Sequence, residues 1–67
     1  MKNEFYFIDD LKVNVRMSEI ISFQKCLNHK NEFKPVLQCL IVLKPNSVYW
    51  CDTKHYDILD NIFNTKH

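Results

Sequence analysis

Cysteine and histidine are the residues with most chemical reach in this chain. Cys26 and His29 lie three positions apart and Cys51 and His55 four, spacings at which thiolates and imidazoles can share a tetrahedral zinc ion. The pattern lacks the Cys-x2-Cys knuckles of the usual zinc motifs, and the chain has no glycine to make their tight turns. The spacing is therefore read as accidental: no metal and no cofactor is expected, and these side chains are read as reduced core or surface residues. A cysteine nucleophile would need an electropositive, partly exposed setting and a third group to orient its base, and the sequence locates neither. Two carboxylate pairs are present, Asp9 with Asp10 and Asp57 with Asp60. The first reads as a turn and the second as the wet face of a helix, so no enzymatic role is expected.

Binding surfaces are easier to find. Tyr49 and Trp50 are neighbours in a β-prone segment and must point to opposite faces. A single covering layer can bury only one of them. Leu40 and Val42, in an apolar run bounded by Pro35 and Pro45, raise the same demand for a second cover. These four residues are the candidate contacts for a protein partner, either a second copy of the chain or a larger protein. The competing expectation is a nucleic-acid-binding strand face built from Lys12, Asn14 and Arg16, continued by Lys25 and Lys30, with Tyr6, Tyr49 or Trp50 stacking on bases. A net charge of +1 over 67 residues gives that reading little electrostatic support.

The elements that must position these residues follow from periodicity. Glu4–Ile8 is aromatic and β-prone and runs into Asp9-Asp10. Leu11, Val13, Val15 and Met17 then alternate with Lys12, Asn14 and Arg16, so residues 4–17 read as a hairpin with one wet face. Residues 18–27 are ambiguous: Ile20, Phe23 and Leu27 fit a helix face, Ile21, Phe23 and Leu27 a strand face, and a strand after a short turn is preferred because the hairpin needs partners. Residues 28–35 read as a loop. Val36–Leu43 is apolar on both faces, as a central strand is, and Pro45-Asn46 turns the chain into Ser47–Cys51. Asp52 or Thr53 caps a final helix carrying Tyr56, Leu59, Ile62 and Phe63 on one stripe.

The expectation is one small α+β domain over residues 1–67: an antiparallel meander of four to five strands with one C-terminal helix packed on it. The apolar rhythm of KVNVRMSEIISFQ, LIVLKPNSVYWCD and KHYDILDNIF resembles the strand-turn-strand-helix ending of LytTR-type DNA-binding domains, with no diagnostic motif. An odd cysteine count without an apolar leader predicts a reducing, cytoplasmic setting, and the longest apolar stretch is far below the roughly 20 residues that span a bilayer. Eight lysines to one arginine, with abundant asparagine, fit an AT-rich genome. The functional expectation is a small binding, inhibitory or regulatory protein, dimeric or docked on a partner, of the kind encoded by a phage or mobile element.

Overall fold

The computed structural model describes residues 4–30 and 32–64. Strand β1 (Phe5–Ile8) pairs antiparallel with β2 (Val13–Arg16), and a 3-10 turn, Met17–Glu19, leads into β3 (Ile20–Asn28). Strands β4 (Val36–Leu43) and β5 (Ser47–Cys51) follow, then helix α1 (Lys54–Asn64). The class is α+β with antiparallel pairing throughout. The single meander is corrected to two sheets, one of two strands (β1-β2) and one of three (β3-β4-β5). The break has a local cause. The Met17 amide bonds the Glu4 carbonyl at 2.8 Å and closes the hairpin, and the 3-10 turn then redirects the chain before β3 can pair with β2.

The hairpin turn also takes more of the sequence than alternation implies. Residues 9–12 all belong to it, and Lys12 adopts a φ of 57°, a left-handed conformation that is uncommon for a lysine. Leu11 and Lys12 therefore stand in the turn, and β2 starts at Val13.

Residues 18–27 divide between the 3-10 turn and β3. A bulge between Ile20 and Ser22 explains their ambiguous pattern: Ile20 pairs with Leu43 and Ser22 with Val42, leaving Ile21 as the extra residue. Inserting one residue puts Ile20 and Phe23, three apart in sequence, on the same side of a strand. Helical spacing is thereby imitated by a bulged strand.

Strand β4 is central, as its two apolar faces require. Cys39, Ile41 and Leu43 are buried and form the core with Ile8, Val15, Cys51 and Leu59. The hairpin and the helix thus lie on the same side of the three-stranded sheet. Phe23, on that side too, meets the helix through Tyr56 (5.5 Å between ring centroids) and Phe63 (5.7 Å). At its start the helix is capped by Asp52, whose Oδ1 accepts from the Lys54 amide at 3.0 Å. Of the expected apolar stripe Leu59 is fully buried and Tyr56 half-buried, while Ile62 and Phe63 are largely exposed.

Candidate functional site

Among the described residues, several places in the fold gather side chains that could act on something else. The first is the far side of the three-stranded sheet. Leu40 pairs with Trp50 and Val42 with Val48 directly across β4 and β5, and Ser22, Gln24, Cys26 and Asn28 continue this face on β3. The apolar side chains that pack on the core are Tyr6, Val13, Met17, Ile20, Phe23, Tyr49 and Tyr56, and none of them comes from this face. Leu40, Val42 and Trp50 are half-buried, while Val36 and Val48 are more than half exposed. The face is apolar across β4 and β5 and polar along β3, and no layer of the described residues packs on it. Its distal end holds a concavity of ≈ 300 Å³ lined by Asn28, Lys30, Lys34, Val36 and Gln38, where the Asn28 amide donates to Gln38 Oε1 at 2.7 Å. At the same end Leu27 and Leu37, on the opposite side of the sheet, are also about half exposed.

Of the expected partner contacts, Leu40, Val42 and Trp50 therefore share one face. Tyr49 is on the other, packed against the core and paired with Ile41, as strand alternation demands.

The hairpin gives a different picture of the nucleic-acid candidates. Asn14 and Arg16 lie opposite Phe7 and Phe5, and both phenylalanines are 52% exposed. The Arg16 guanidinium sits 4.8 Å from the centre of the Phe5 ring and 4.0 Å from Glu4. Lys12 is in the turn, apart from that strand face. Tyr6 is turned inward, so the rings beside Asn14 and Arg16 are Phe5 and Phe7, which inspection of the sequence passed over. Alternation with Tyr6 and Ile8 was the signal that could have found them. Lys25 is engaged with the helix, 3.8 Å from Asp57 and 5.1 Å from the centre of the Tyr56 ring.

The second place is the start of α1. His55 is the buried polar residue of the core region, 2% exposed. Its Nδ1 meets the Tyr6 hydroxyl at 2.5 Å, and its Nε2 meets Asp10 Oδ1 at 2.6 Å and Asp9 Oδ1 at 3.2 Å. The outer oxygens of both carboxylates are held as well: Asp9 Oδ2 accepts from Lys54 Nζ at 2.9 Å and Asp10 Oδ2 from the Asp52 amide at 3.0 Å. Lys54 holds the Asp9 carboxyl below its usual range, and Asp9 raises Lys54 in return. Burial, reinforced by the nearby thiols and carboxylates, pushes the Tyr6 phenol up to about 12.

Hydroxyl, imidazole and carboxylate stand here in the order of a nucleophilic triad. Burial favours the protonated phenol, while the His55 Nδ1 beside it is placed to share that proton.

The chain matches no protein-family model, no curated protein and no solved structure. Geometry therefore carries the functional argument alone.

The Cys/His spacing does not assemble. Cys26 is on the outer sheet face, whereas Cys51 is buried beside Cys39, its Sγ 3.6 Å from the Cys39 carbonyl. His29 lies exposed beyond the end of β3, and His55 faces carboxylates instead of thiols. Burial raises both the Cys39 and Cys51 thiols, the latter to about 12, so they behave as small core residues. Among the described residues no helix is long and apolar enough to cross a membrane.

Proposed function

We propose that this chain is a non-enzymatic binding protein with an inhibitory or regulatory role, acting through the outer face of the three-stranded sheet. The observation that supports it is the block of cross-strand pairs Leu40–Trp50 and Val42–Val48 on a face that none of the described residues covers. Burying a few hundred Å² of such surface is worth several kcal/mol at about 25 cal/mol per Å², comparable with the whole stability of a small domain. The favoured occupant is a second copy of the chain. A sheet face is self-complementary about a two-fold axis, and a net charge of +1 raises no electrostatic barrier to pairing. Three free cysteines suit a reducing cytoplasm, and the lysine-rich, arginine-poor composition suits a phage or mobile-element source.

Light scattering over a range of concentrations tests this reading. A dimer that Val48→Lys and Trp50→Ala convert to folded monomers is expected. A wild-type monomer that also fails to bind a hydrophobic dye would overturn it.

A second reading, a small nucleic-acid-binding module, is favoured by one feature. Phe5 and Phe7 are exposed side by side with Asn14 and Arg16 on the open face of the hairpin, the combination of rings and a cation that single strands stack on.

A further inference from the structure

We propose that Asp9, Asp10 and His55 form a binding site for one first-row transition-metal dication, with His55 Nε2 and one oxygen from each carboxylate as the ligands. Oδ1 of Asp9 and Oδ1 of Asp10 converge on the same ring nitrogen, at 3.2 and 2.6 Å, and the three groups offer ligand atoms all within 4.8 Å of one another. A dication serves all three. With ligand bonds of about 2.1 Å, neighbouring ligands at right angles stand about 3.0 Å apart, a value the two observed separations bracket.

The surroundings of the cluster have the form that metal sites require. Each ligand has its far atom fixed by a separate group: Nδ1 by the Tyr6 hydroxyl, Asp9 Oδ2 by Lys54 and Asp10 Oδ2 by the Asp52 amide. Such outer contacts orient the ligating atoms and set the histidine tautomer. The Tyr6 hydroxyl oxygen lies 2.5 Å from Nδ1 and can accept from an Nδ1–H, which leaves Nε2 to bind metal. The carboxylates are on the solvent side, their side chains 52% and 36% exposed, which gives the ion an entrance and leaves its remaining positions to water. An imidazole among the ligands favours zinc, iron, nickel or copper over magnesium and calcium.

The test uses the whole chain. Calorimetric titration with Zn2+ is expected to give one ion per chain, with no comparable response to Mg2+. Asp10→Asn should abolish the binding, and Tyr6→Phe should weaken it by about 10- to 100-fold. Nitrogen-15 NMR of the wild-type imidazoles needs no variant and is expected to show His55 with its proton on Nδ1 and metal on Nε2 after addition of Zn2+. Absence of stoichiometric Zn2+ binding by the folded wild-type protein would overturn the assignment. So would binding that survives Asp10→Asn, or Mg2+ binding as strong as that of Zn2+.

Discussion

Tyr6 and His55, 49 positions apart, meet in a 2.5 Å hydrogen bond with their rings edge to face, 5.5 Å between centroids and 87° apart in plane. This contact joins the β1-β2 hairpin to the first turn of α1, two elements with no strand pairing between them. Asp10 reinforces it by bonding both His55 and the Asp52 amide. The hairpin is therefore anchored at its turn by polar contacts and along its strands by Ile8 and Val15 in the core.

That anchoring predicts unequal costs. His55→Ala should lower the unfolding free energy by about 2–4 kcal/mol, because it strips Tyr6 and Asp10 of a buried partner as well as leaving a void. Tyr6→Phe keeps the ring packing and removes one hydrogen bond, for a cost of about 1–2 kcal/mol. Denaturant titration of both variants checks the order. Equal effects would mean that the tie is held by packing instead of by hydrogen bonds.

Alkaline solution should loosen the fold through two buried groups. Tyr6 is raised by burial from 10.0 to about 12, and Cys51 by burial from 9.0 to about 12. Both are acids whose protonated form the folded state favours, so their contribution is fully present below the unfolded values. It is lost as pH rises from about 9 to 12. Stability measured by denaturant at about pH 8 and pH 11 should fall less in Tyr6→Phe and Cys51→Val than in the wild type. An identical fall in all three would place the alkaline sensitivity elsewhere.

If the hairpin face binds single strands, affinity for an oligonucleotide should drop steeply with added salt. Arg16→Ala should then weaken it for every sequence, and Phe7→Ala should remove about 1–3 kcal/mol of stacking. Fluorescence anisotropy with a labelled oligonucleotide at two salt concentrations reads both effects. The dimeric sheet-face reading expects neither variant to alter the solution mass.

Much of the fold was legible in local pattern. Aromatic, β-prone composition marks β1, period-two alternation marks β2, the doubly apolar run between Pro35 and Pro45 marks β4 as central, and Asp52 or Thr53 marks the start of α1. Each rests on interactions within a few residues, or on how many faces of one strand must be buried, and sequence records both directly. The separation of Tyr49 from Trp50 follows from the same backbone geometry.

Other features were settled only by contacts distant in sequence. The bulge at Ile21 exists because Ile20 and Phe23 both find partners on β4, and without that strand their spacing reads as helical. Asp9 and Asp10 are unremarkable turn residues until His55, 45 positions beyond Asp10, folds between them and Tyr6. Outside residues 18–27, the sequence determined which segments are strands or helix and which positions are apolar, because those depend on near neighbours and on residue type. Only the tertiary structure decided that the hairpin and the helix cover the same side of the sheet, leaving Leu40, Val42 and Trp50 on the other. Which face is covered depends on how the 3-10 turn at Met17–Glu19 and the Tyr6–His55 contact direct whole elements, and no local pattern of residues encodes that direction.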